Sequence, residues 1–132
     1  DISRQAKKVA KFRRNSQVFT VRNPITLANT LLDRLENPSS ELRLGVIQMV
    51  EYISRNVEQR DVRFTDNMLA ACFYMASKML SVTITQRQLE ENWPCSSVGI
   101  RTTLTTLSKM FNFDRSKISG YDLDSFTMGV RY

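Results

Sequence analysis

Residues Met68–Met110 read MLAACFYMASKMLSVTITQRQLEENWPCSSVGIRTTLTTLSKM. In the first third, Leu69, Cys72, Phe73, Ala76, Met79 and Leu80 recur at three- and four-residue steps, the spacing of a helix with one buried stripe. Ala70, Ala71, Ala76 and Ser77 keep that helix slim. Slim helices let neighbours approach closely, so this one belongs at the centre of a bundle. Thr85-Gln86-Arg87-Gln88 is a capping box, a Thr N-cap with Gln three residues on. Pro94 stops the short helix that follows. Ser96 or Ser97 caps a further helix, with Val98, Ile100, Leu104, Leu107 and Phe111 as its inner face. A capped short helix, a Pro-containing turn and a second capped helix carrying Arg101 read as a helix-turn-helix on a helical core. That arrangement suits one helix face to a DNA groove.

The flanking residues supply the rest of the bundle. Asn23-Pro24 opens a helix, with Asn as N-cap and Pro at the first position. Ile25, Ala28, Leu31, Leu32 and Leu35 form its stripe, and Asn37-Pro38 ends it. Ser39 or Ser40 caps the next helix, which carries Leu42, Val46, Ile47, Met49, Val50 and Ile53 on one side and runs out near Asn56–Arg60. Thr65-Asp66 starts the central helix. Nothing reads as a clear strand. The predicted fold class is therefore all-α: a five-helix bundle over residues 23–112. One extra basic helix, Ile2–Arg14, precedes it through an extended linker, Asn15–Arg22. The tail 113–132 carries scattered apolar residues (Ile118, Tyr121, Leu123, Phe126) that the sequence alone does not place.

Composition narrows the function. An apolar fraction of 42% in 132 residues fits one folded domain with a real core. No apolar run approaches the roughly 20 residues that span a bilayer, and no signal-peptide pattern opens the chain. The start at Asp1, without Met, reads as a piece of something longer. The absence of His removes His-based triads and most zinc-enzyme ligand sets. Cys72 and Cys95 form no CxxC pair, and a reduced intracellular protein is the plain inference. No cofactor or metal is called for. Charge is unevenly placed. Residues 1–22 hold seven basic side chains against Asp1 alone, equal to the whole net charge of +6, so the rest is neutral. A polyanion or an acidic protein patch would therefore meet the basic patch Arg4, Lys7, Lys8, Lys11 and Arg14. Read blandly, this run is a solvated face and a linker.

Several of these residues carry a family resemblance. Ala70-Ala71 and Tyr74-Met75-Ala76-Ser77-Lys78 are close to an AAxxYxAS pattern. Thr85-Gln86-Arg87 matches a T-Q-[RK] start of helix four, and Val98-Gly99-Ile100-Arg101 matches a V-T-[IV]-R start of helix five. In this order and spacing they resemble the cyclin-fold repeat of transcription factor IIB and archaeal transcription factor B, over residues 23–112. The V-x-[IV]-R helix is typical of the family's second, C-terminal repeat, and residues 2–11 look like the last helix of a preceding one. Three departures stand out. Val62-Arg63-Phe64-Thr65 replaces a Gly/Ser-Pro signal before helix three, Trp93-Pro94-Cys95 replaces a small Gly-containing turn, and Gly99 replaces Thr or Ser.

The resemblance implies a non-enzymatic, TFIIB-like general transcription initiation factor. Its partners would be promoter DNA, the TATA-binding protein and RNA polymerase, with no membrane role. It would act in the nucleus of a eukaryote, or in the cytoplasm for an archaeal or viral source. Its expected DNA-binding residues are Val98, Arg101, Ser96, Ser97, Arg87, Gln86 and Thr102. Arg101 can fork onto guanine O6 and N7, while Ser96, Ser97 and the free N–H groups of that helix start suit a phosphate. Val98 fits either the outer face or the apolar stripe, and Gly99 would let DNA come close. The competing reading is a cyclin-like protein-interaction module that docks a kinase or other partner without DNA. In that case Arg101 is a surface or salt-bridge residue. An enzyme is the class with least support, because no Gly-rich phosphate loop or paired catalytic carboxylates are visible.

Overall fold

Asn23 accepts hydrogen bonds from the N–H groups of Ile25 and Thr26, and Pro24 follows at the first helical position. The same logic starts every following helix. The computed structural model of the chain describes residues 23–128, all of whose regular elements are helical. They are α1 (Pro24–Arg34), α2 (Ser40–Gln59), α3 (Asp66–Met79), α4 (Gln86–Asn92), α5 (Ser97–Phe111), a 3-10 helix η1 (Arg115–Gly120) and α6 (Leu123–Thr127). Ser39, Thr65, Thr85 and Ser96 are the side-chain N-caps of α2 to α5, and at Thr85 both halves of the capping box form. Each cap satisfies an amide that the first turn leaves open. The basic helix and linker expected over residues 1–22 lie outside the described residues.

The helix ends are equally local. Asp61, Ser81 and Asn112 take left-handed conformations (φ 57°, 60° and 56°) just beyond α2, α3 and α5. The next residue then bonds back into the helix: Val62 N–H to Val57 O at 2.9 Å, Val82 to Ser77 at 2.8 Å, Phe113 to Ser108 at 3.0 Å. These closures satisfy carbonyls that the last turn leaves free.

Helix α3 is the centre of the bundle. Nine of its residues are buried, including Ala70, Ala71, Ala76 and Ser77, and it packs against α1, α2, α5 and η1. Leu31 and Leu32 of α1, Val46, Met49, Val50 and Ile53 of α2, and Ile100, Leu104 and Leu107 of α5 close around it. Gly45 is where α2 meets the end of α3 and the tail. A Cβ there would lie 2.5 Å from Leu80 Cδ1 and 3.0 Å from Leu123 Cδ2.

The tail is part of the core. Phe113, Ile118, Leu123 and Phe126 are buried. Phe126 sits edge-on to Tyr52, Phe113 and Tyr121 at centroid distances of 5.3 to 6.0 Å. Gln48 Nε2 donates to Asp124 Oδ1 and Thr127 Oγ1, fastening α6 to α2. Residues 113–127 thus share the hydrophobic interior of 23–112. Among the described residues, no helix is long and apolar enough to cross a membrane.

Candidate nucleic-acid interface

Trp93 ends α4 and is buried, with the Arg34 guanidinium 5.3 Å above its ring. Arg34 Nη1 also donates to Asn92 O at 3.1 Å. The turn Trp93-Pro94-Cys95 is therefore pinned by an aromatic anchor where a smaller turn would have none, and this sets the approach of α5 to α4. At the start of α5, Ser96 Oγ accepts from Gly99 N–H at 2.9 Å and Glu90 Oε2 accepts from Ser97 N–H at 2.6 Å. The Ser96 N–H reaches Asn67 Oδ1 at 3.4 Å.

These contacts revise two expectations. The helix start that the sequence offers to a phosphate already holds a carboxylate, Glu90, on Ser97, and the Ser96 oxygen accepts from Gly99 N–H in its own cap, which leaves its O–H as a donor. Gly99 does not open the surface to DNA either. A Cβ there would meet Asn67 Nδ2 and Oδ1 at 2.6 Å and Cγ at 2.7 Å. Glycine stands at this position because α3 and α5 start against each other.

The outer face of α5 is built by the helical repeat. Ile100, Leu104, Leu107 and Phe111 point inward. Val98 precedes Ile100 by two residues, about 200° around a helix, and so turns outward with 62% of its surface exposed. It leaves the inner stripe assigned from sequence. Arg101, Thr102, Thr106 and Lys109 are exposed along the same helix. Among the described residues, the Arg101 guanidinium has no hydrogen-bond or ion-pair partner. Thr105 and Thr106 return their hydroxyls to the carbonyls of Arg101 and Thr102.

The residues expected on α4 divide. Arg87 is exposed and pairs through Nε with Glu91 Oε2 at 3.2 Å, one helical turn on. Exposed pairs of this kind are worth about 0.3–0.5 kcal/mol, so the guanidinium is only loosely held. Gln86 instead lines an open cleft of about 570 Å³ with Tyr74, Lys78, Thr83 and Ser119. The basic patch Arg4, Lys7, Lys8, Lys11 and Arg14 lies outside the described residues.

One member of this surface was invisible in the sequence. Arg115, at the head of η1, places Nη1 2.6 Å from Thr105 Oγ1 and 3.3 Å from Arg101 O. It thereby joins the α5 face beside Arg101. The Asp114-Arg115-Ser116 pattern does signal a helix start, and Asp114 caps η1 by accepting from Ser116 N–H and Oγ–H. Those bonds, and the nearby Lys117 charge, hold the Asp114 carboxyl below its ordinary range. Where η1 docks is not a local property of those residues.

No family model, curated protein or solved structure matches this chain.

Residues 97–121 carry Arg101, Lys109, Arg115 and Lys117 against one acid, Asp114, which is committed to Ser116. This is a positive, hydroxyl-rich helix face with one apolar tip. Cys95, in the turn beside it, is half-buried; burial, then the Glu90 and Asp66 charges, push its thiol pKa up. Burial alone does the same to Cys72, more strongly. Both are free thiols.

Proposed function

We propose that this chain is a TFIIB-like transcription initiation module that binds promoter DNA through the outer face of α5. On this reading α1–α5 form a cyclin-like five-helix bundle, and α4, its Trp-anchored turn and α5 form a helix-turn-helix. The observation that carries it is Arg101, exposed near the start of α5 with no protein partner among the described residues and with exposed Val98 and Thr102 beside it. A guanidinium so placed can take guanine O6 and N7 together, a contact worth roughly 1–3 kcal/mol of base discrimination. Val98 can offer a methyl surface to thymine. The chain would act on DNA already held by the TATA-binding protein and help position RNA polymerase, in the nucleus or the cytoplasm according to its source. It is proposed as a non-enzymatic factor.

A gel-shift series with the TATA-binding protein and promoter DNA tests this. Arg101→Ala should weaken the ternary complex about 5- to 100-fold, and charge reversal at Lys7, Lys8 and Lys11 should weaken it further. Unchanged binding in both variants overturns the assignment.

A second reading, a cyclin-like module that docks a kinase or other regulatory protein, draws on exposed Leu44 of α2 (72%) and Met128 beyond α6 (74%). Gln48, one turn after Leu44, bonds Thr127, the residue before Met128. Contiguous exposed apolar patches mark protein contacts, and this bond joins the two elements that carry Leu44 and Met128. Salt separates the two readings, because binding through several phosphates falls steeply with ionic strength and an apolar contact does not.

A further inference from the structure

We propose that Arg115 is a phosphate-contacting residue, so that the duplex-binding surface is the combined face of α5 and η1 rather than α5 alone. The inference rests on the reading of α5 given above and names a residue and a contact that the reading lacks.

The first argument is how Arg115 is held. Its Nη1 is committed to Thr105 Oγ1 and to the Arg101 carbonyl. A guanidinium carries five N–H donors, which leaves those on Nε and Nη2 for a ligand. No carboxylate pairs with Arg115 among the described residues. A guanidinium already fixed in place loses less freedom when it binds than a loose surface lysine does.

The second argument is spacing. Thr105, where Arg115 is anchored, lies four residues beyond Arg101, about 6 Å along a helix axis. Lys109 lies about 12 Å beyond Arg101 on the same measure. The DNA major groove is about 12 Å wide. With Arg101 and Val98 toward base edges, Arg115 and Lys109 fall toward the sugar-phosphate wall.

The third argument selects duplex over single strand. Single-strand binders stack bases on exposed aromatic rings. On this face Phe111 and Phe113 are buried, and the half-buried Tyr121 ring packs against Phe113 and Phe126. Apart from Asn112 and Asp114, the latter bonded to Ser116, the exposed side chains here are hydroxyls, cations and one valine, which suit a groove.

Fluorescence anisotropy on the whole 132-residue chain tests this, using a labelled promoter duplex and one of its strands in roughly 50–200 mM salt. The duplex should bind tighter than the strand. Arg115→Gln should lower the slope of log affinity against log salt by about one unit, the signature of one lost phosphate contact. Arg115→Lys should restore that slope, although both variants lose the guanidinium bonds to Thr105 and the Arg101 carbonyl and should melt somewhat lower than the parent. Arg55→Gln, on the exposed side of α2, should leave the slope unchanged. If Arg101→Ala weakens duplex binding while Arg115→Gln leaves the slope intact, the Arg115 proposal fails and the α5 reading stands. If neither variant matters, or strand and polyglutamate bind as tightly as duplex, both fail. An equal slope change in Arg55→Gln would mean diffuse charge and would also overturn the proposal.

Discussion

Replacing Gly99 with alanine should destabilise the protein, against the ordinary effect of that exchange in a helix. Alanine is worth up to about 1 kcal/mol over glycine inside a helix. At Gly99, in the first turn of α5, less than the full gain applies. The added Cβ would lie 2.6–2.7 Å from the amide end of Asn67, well inside contact distance. Asn67 can swing away only by giving up the Ser96 N–H, a bond of 3.4 Å worth about 0.5–1 kcal/mol. Otherwise α5 must shift against α3, and overpacking of that kind costs about 1–3 kcal/mol. The cheaper route wins, because the atoms that must move are the free end of a side chain, so the balance is a net loss of up to about 0.5 kcal/mol, or roughly 2 °C in thermal midpoint for a chain of this size. Asn67→Ala alone should cost about 0.5–1 kcal/mol for the lost Ser96 bond, and the double variant Asn67→Ala/Gly99→Ala should regain the helix-propensity gain. Thermal unfolding of the four proteins followed by circular dichroism gives the coupling directly, about 0.5–1 kcal/mol in the direction of rescue. A Gly99→Ala variant more stable than the parent, or a double variant with purely additive effects, would refute the close-approach argument.

Other outcomes follow from the same contacts. Glu90→Gln removes the carboxylate from Ser97 N–H; it should cost about 0.5 kcal/mol in unfolding, tighten duplex binding in a gel shift, and speed alkylation of Cys95 by lifting one of the charges that raise its pKa. Phe126→Ala should cost about 3–5 kcal/mol in denaturant unfolding, because that ring is 2% exposed in an aromatic cluster. Asp114 is held below its ordinary value of 3.8, so it stabilises η1 above that pH and the contribution is lost as acid protonates it. Asp114→Asn should therefore flatten the acid limb of a thermal-midpoint-versus-pH curve.

What the sequence made legible was what neighbouring residues decide among themselves. Asn23-Pro24, Ser39, Thr65, Thr85 and Ser96 each cap the helix expected after them. A cap needs only a short polar side chain and two or three amides ahead of it. The small residues of α3 likewise announced a central helix. Val98 was ambiguous because apolar character alone does not fix a direction. Its distance of two residues from Ile100 does, and places it outside. Gly99 and Gly45 were opaque for another reason: their meaning lies in Asn67, Leu80 and Leu123, far along the chain. Arg115 and the tail had no readable period, because the apolar spacing of Phe113, Ile118, Leu123 and Phe126 matches a groove made by other elements. On the α4–α5 face, Arg101 and Thr102 stand exposed as their helical positions require, while Glu90 on Ser97 needed the fold to be seen.

The placement of α6 bears on how the molecule assembles during synthesis. Gln48 waits for partners 76 and 79 positions downstream. Tyr52 likewise gains Phe126 only when nearly all of 23–128 has left the ribosome. Until then α2 presents an unsheltered flank at Gly45 and Tyr52, one that a chaperone or a neighbouring nascent chain can seize. Closure of the interior is thus a late event, governed by a long loop whose entropy must be overcome before the reward arrives. A substitution in the last few turns would be felt first as slow maturation and aggregation in the cell, even where the finished protein survives it.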